Sequence, residues 1–162
     1  MLQILNDSVS WHVSQEKLES VLSRVLPRVL ETLRNSPPKP VQDKVLAILH
    51  HISQRLKVAP SVRLPVAELL RLFSSTASPA EEEKASAGRG SLLASLSLVY
   101  IEKGWALVEP GERARFALTL LAGVSRRPVA LRRTILQLLL AAAQQPGGLS
   151  PALERKAPEE EE

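Results

Sequence analysis

Residues 44–73 read KVLAILHHISQRLKVAPSVRLPVAELLRLF. Two helices with a break between them account for this stretch. In the first, Val45, Ile48, Leu49, Ile52 and Leu56 recur at three- and four-residue steps. That is the spacing of one buried helical face. Val41 extends the face upstream, and Lys44, Gln54, Arg55 and Lys57 fall away from it. The helix is expected over about 41–57, with Pro60 just past its end. A second helix is expected from Leu64-Pro65 to about Ser74, because proline is well placed in a first turn.

The same pattern continues on both sides. Upstream, Leu18, Val21, Leu22, Val25, Val29 and Leu33 predict a helix starting near Ser14 or Gln15, continuous but bent at Pro27. The run Asn35-Ser-Pro-Pro-Lys-Pro40 ends it. Residues 1–14 form a lead-in with little pattern, a short helix or a loose end. Downstream, residues 74–90 are small, polar and charged and read as a flexible loop. A helix over about Ser91–Lys103 follows, with Leu92, Leu96, Val99 and Tyr100 inward and Gly104 placed as its C′ residue, a position where glycine commonly turns left-handed. Pro110 and Pro128 each open another helix. Ala117, Leu120, Leu121 and Val124 form the face of the first. Leu131, Ile135, Leu138, Leu139 and Ala142 form that of the second. Gln144 to Gly148 stop the chain's regular structure, and 147–162 read as a disordered tail ending in four glutamates.

Alternate helices begin near residues 15, 65 and 110, about 50 and about 45 residues apart, close to the period of two-helix HEAT-type repeats. The expected fold is therefore all-α, an α-solenoid of stacked helical hairpins of HEAT/ARM-like type, about three of them, over residues 15–146. Pro40 and Gln42 stand where such repeats usually carry an aspartate and a basic residue, and a plain helical bundle fits the periodicity nearly as well. A terminal hairpin in such a stack leaves an apolar face uncovered. Leu138, Leu139 and Leu140 are the residues expected there, with self-association or poor solubility as the consequence.

Composition bounds the function. Of the 162 residues 44% are hydrophobic but only 3% aromatic, which suits helices rather than sheets. The absence of cysteine removes disulfides, thiol catalysis and cysteine-held metals. No leader pattern or membrane-length apolar run is seen, so a cytoplasmic or nuclear location is expected. His50 and His51 are adjacent on a helix and diverge by about 100°, and with His12 they complete the histidines, so no metal set forms. Nucleophile elbows and phosphate loops are missing. The sequence points to a non-enzymatic protein without cofactors.

Charge is the remaining signal. The net charge of +4 includes Glu159–Glu162; without them it is +8. Between Arg113 and Leu153 stand six arginines and no acid. Arg126, Arg127, Arg132 and Arg133 gather at a helix start, where cations oppose the helix dipole. A plain solvated surface accounts for them; an acidic protein partner would explain them as well, which makes these four a candidate partner-binding patch. A basic helical nucleic-acid-binding module is the alternative, weakened by the lack of interleaved aromatics.

Three blocks carry a resemblance. Residues 44–73, with Gln54-Arg55, Lys57, Leu64-Pro65-Val66 and Glu68-Leu69-Leu70, resemble the N-terminal region of the proteasome adaptor and scaffold family. So do SLVYIEKGWALVEPGERARFALTLL (97–121) and KLESVLSRVLPRVLETL (17–33), in the same order. The resemblance spans about residues 15–145. The loop at 77–90 is longer than the family's, and members of the family continue through many more repeats. The resemblance implies a HEAT-repeat proteasome adaptor, or its first hairpins. Its implied partners are subunits of the regulatory and core particles, and its implied role lies in proteasome assembly, stability or quality control.

Overall fold

The computed structural model describes residues 2–35, 37–76 and 90–145. Among them every regular element is helical. The order is α1 (Leu2–Glu31), α2 (Lys39–Val58), α3 (Val66–Ser75), α4 (Gly90–Gly104), α5 (Pro110–Ala122) and α6 (Val129–Gln144). Short 3₁₀ turns at Trp105–Leu107 and Val124–Arg126 precede α5 and α6. Prolines punctuate the chain as the sequence suggests: Pro38, Pro65 and Pro128 each stand just before a helix, and Pro110 is the first residue of one. Their fixed φ suits a helix start, and their missing N–H costs nothing there.

α1 differs from expectation at its start. It is helical from Leu2, not from Ser14, and it runs through Pro27 as one element. Its buried stripe is Leu22, Leu26 and Leu30, continued by Leu33 in the turn that follows, while Val21 and Val25 face solvent. Two interleaved stripes at helical spacing were available, and packing chose the leucines. The same occurs in α2, where Val45 and Leu49 are buried and Val41 and Ile48 are exposed. Of the loop expected at 74–90, Ser74 and Ser75 belong to α3 and Gly90 opens α4; residues 77–89 and the tail 147–162 lie outside the described residues.

α3 and α4 form the centre. In ten residues α3 buries Val66, Leu69, Leu70, Leu72 and Phe73, too many for a single stripe. It packs on α1, α4 and α5, so it has apolar neighbours on several sides. α4 buries Leu93, Ala94, Ser97, Leu98, Tyr100 and Ile101 and touches α1, α3 and α6. α1 pairs with α2 and α5 with α6.

Gly104 explains how closely the centre is packed. Its φ is −85°, an ordinary right-handed value, so it is not a left-handed terminator. A Cβ here would stand 2.8 Å from Val66 Cγ2 and 3.1 Å from Leu64 Cβ. Glycine is needed because α3 and its lead-in approach the backbone of α4, not because the chain turns. The α2–α3 connection is likewise held. Arg63 N–H donates to the Glu19 carboxylate at 2.8 Å, Gln15 Nε2 donates to Ser61 O at 2.9 Å, and Val62 is buried.

Candidate protein-interaction surface

The acid-free arginine segment is divided by the fold into internal caps and a surface. Arg113 donates from Nε to Val108 O at 2.8 Å and from Nη2 to Ala106 O at 2.9 Å. It therefore caps the carbonyls of the Trp105–Leu107 turn. Arg115 lies over the Phe116 ring at 5.5 Å and meets Glu112 at 3.4 Å.

Arg127 is 5% exposed. Its Nη2 donates to Phe73 O at 2.5 Å and its Nη1 to Thr76 Oγ1 at 2.6 Å. Its guanidinium lies 4.0 Å from the centroid of the Phe73 ring. All of these groups sit at the C-terminal end of α3, the negative end of its dipole. In sequence Arg127 precedes α6, where a cation is misplaced; in space it serves a different helix. Arg34, in the turn after α1, reaches the same place and donates to Ser75 Oγ at 2.8 Å. Ser75 and Thr76 in turn donate to Leu72 O and Phe73 O. Side chains from the turn after α1, from α3 and from the turn before α6 thus meet at one helix end.

The four-arginine patch is accordingly not one surface. Arg127 is inside, Arg132 Nε donates to Arg127 O, and the side chains of Arg126, Arg132 and Arg133 are exposed. Missed by sequence reasoning was the apolar company these cations keep. Val129, Leu136 and Leu140 are 74%, 53% and 61% exposed on the outer side of α6. Leu118 and Leu121 are exposed on α5. Leu138 and Leu139, expected to be uncovered, are buried; of that trio only Leu140 faces out. The reason is geometric: Leu138 and Leu139 lie with Leu131, Ile135 and Ala142 on the core side, and Leu140 is a further turn-fraction round the helix.

Elsewhere the chemistry is sparse. A cleft of about 230 Å³ opens between the start of α3 and the start of α5, floored by Gly104, Val66 and Phe116. Arg63 and Glu109 face each other across its rim at 3.9 Å, an exposed pair. His50 and His51 are exposed neighbours on α2, and the side chain of His12 lies outside the described residues. Among the described residues no group of three histidines, cysteines or carboxylates is placed to hold a metal. None of the described helices is long and apolar enough to cross a membrane.

Against known proteins, the family model described as "Proteasome component ECM29, N-terminal" matches residues 13–147. The human proteasome adapter and scaffold protein ECM29 is similar, 26% identical over 127 residues. That alignment covers 78% of this chain and 6% of the human protein. No solved structure matches.

Proposed function

The chain belongs to the family of the N-terminal region of proteasome component ECM29, and from that we propose that it is a non-catalytic adaptor or scaffold segment that binds proteasome subunits. The match over residues 13–147 carries this reading, because it overlaps every described helix from α1 to α6 rather than a single motif. The human relative is a proteasome adapter and scaffold protein by name, and the present chain spans a small part of its length.

The architecture we assign is a solenoid of three helical hairpins, α1–α2, α3–α4 and α5–α6. Its support is the pattern of packing. Helices touch within a hairpin, and α1, α3 and α5 lie in succession, as do α4 and α6. Tyr100 of α4 bonds Leu49 O and Ser53 of α2, which links the remaining pair. A solenoid requires such nearest-neighbour stacking. The role we assign is in proteasome assembly, stability or quality control, in the cytoplasm or nucleus, through contacts with regulatory or core particle subunits. The nucleic-acid alternative loses ground, because Arg113, Arg115, Arg127 and Arg132 all have protein partners.

Gentle affinity purification of the tagged native protein in the presence of ATP tests this. Proteasome subunits should be recovered with the wild type and lost when the fold is broken by Leu69→Asp. Their absence from the wild-type eluate would overturn the reading.

A further inference from the structure

A notch of about 160 Å³ opens beside the α2–α3 connection. Leu56, Val62 and Leu64 floor it, and Lys57 and Lys103 flank it. Its walls come from α2, the connection and the last turn of α4. No residue of α1, α5 or α6 lines it, so what precedes or follows this chain does not decide its exposure. The connection is pinned by Gln15 and Glu19, which bond Ser61 O and the Arg63 N–H. The notch is therefore formed before any ligand arrives, and binding needs little reordering. Val58, 76% exposed, stands next to Lys57 at its lip.

The two lysines decide what fits. Each stands in the last turn of a helix, where the dipole favours a cation. That accounts for their sign but not for their lack of partners. Among the described residues neither makes an ion pair or a hydrogen bond, whereas Arg63, Arg71 and Arg115 each face a carboxylate. No carboxylate lines the notch. Glu102 leaves α4 about 100° round from Lys103, and Glu19 is engaged by the Arg63 N–H. Two whole charges outweigh the half-charges of the two helix ends, so the rim is positive. An apolar floor between two such cations fits an apolar side chain with carboxylates on either side. The chain's own acidic stretches do not offer this. Leu153-Glu154 runs straight into Arg155 and Lys156, which would meet the two lysines. Glu159–Glu162 have only Ala157 and Pro158 as apolar neighbours, and Glu81–Glu83 only Pro79, Ala80 and Ala85. A second copy brings the same stretches.

We propose that this notch docks an extended segment of another protein, with one leucine-sized side chain on the floor and flanking carboxylates on Lys57 and Lys103. The surface and its partner chemistry go beyond the scaffold reading and do not depend on it.

The test follows amide chemical shifts of the isotope-labelled whole chain during titration with short synthetic peptides. In the first peptide a leucine stands between pairs of glutamates. The second has lysines for those glutamates, and the third has alanine for the leucine. The first should bind saturably and move the amides of residues 56–64 and 103. The second and third should bind at least about tenfold more weakly. Lys57→Glu with Lys103→Glu should reverse the order of the first two. Both lysines are exposed, so the circular dichroism of this variant should not change. If it does, Lys57→Gln with Lys103→Gln takes its place and should weaken the first peptide at least about tenfold. Equal binding of the glutamate and lysine peptides, undiminished binding of the alanine peptide, shifts centred elsewhere, or no binding at all would overturn the proposal. So would tighter binding of the first peptide once Glu154 and Glu159–Glu162 are changed to serine, because the tail would then be the occupant. A dimer of the chain alone, abolished by Lys57→Glu with Lys103→Glu, would overturn it too, because the notch would then hold a second copy. None of these outcomes involves proteasomes, so the scaffold reading stands or falls separately.

Discussion

Arg127 and Tyr100 show what single buried polar groups do here. Arg127 contributes two charge-assisted hydrogen bonds and a ring contact to the end of α3. Truncation in Arg127→Met leaves Phe73 O with Thr76 as its donor, removes the partner of Thr76 Oγ1 and takes the charge from the negative helix end. The expected loss is about 2–4 kcal/mol by urea denaturation, and Arg127→Lys should recover little, since a point charge cannot fork to both acceptors. Tyr100 is 1% exposed; its hydroxyl donates to Leu49 O at 2.8 Å and accepts from Ser53 Oγ at 3.0 Å. Burial raises the phenol above its ordinary value of 10.0, with the Ser53 bond opposing in part. A raised folded value means that the stabilisation from keeping this proton is complete below about pH 10. It is lost as the pH climbs through the folded value. Tyr100→Phe should cost about 1 kcal/mol at neutral pH. The gap between the two proteins should shrink above pH 10, read from denaturation midpoints at stepped pH.

At the scale of elements, the helices were legible because proline and apolar period agree. The starts at Pro65, Pro110 and Pro128 fall within a residue of expectation, and the core face of α6 matches residue for residue. Faces were misjudged where a helix offers two apolar stripes. Val21 and Val25 compete with Leu22 and Leu26, and only the position of α2 and α3 decides between them. Phe116, four residues before Leu120, and Ser97, four from both Leu93 and Ile101, are buried at periodic positions; Ser97 carries no apolar signal of its own. Glycine gives a direct test of the close approach between α3 and α4. Gly104→Ala gains helix propensity but forces a Cβ against Val66 and Leu64, and should destabilise by about 1–3 kcal/mol. Gly111→Ala, in the first turn of α5, meets nothing within 4 Å and should stabilise by about 0.4–1 kcal/mol. Thermal melts of the two variants should move in opposite directions.

Across the whole molecule, helices packed mainly on their neighbours tend to unfold in parts. The end of α3 works against that, because Arg34 and Arg127 bring the turns after α1 and before α6 to one site. Amide hydrogen exchange should therefore show α5 and α6 protected nearly as well as α3 in the wild type. In Arg127→Met the last two helices should exchange faster while α3 and α4 keep most of their protection; uniform loss along the chain would argue against this coupling. The sequence by itself determined the helical class, the order of the described helices, the proline-marked starts of α3, α5 and α6, and the family, since these rest on local steric rules and on residue order. Tertiary structure alone decided which of two stripes is core, why residue 104 is glycine, and that Arg127 caps a helix 54 positions upstream at Phe73. Burial and charge pairing depend on what arrives from distant parts of the chain, and periodicity along one helix carries no record of its neighbours.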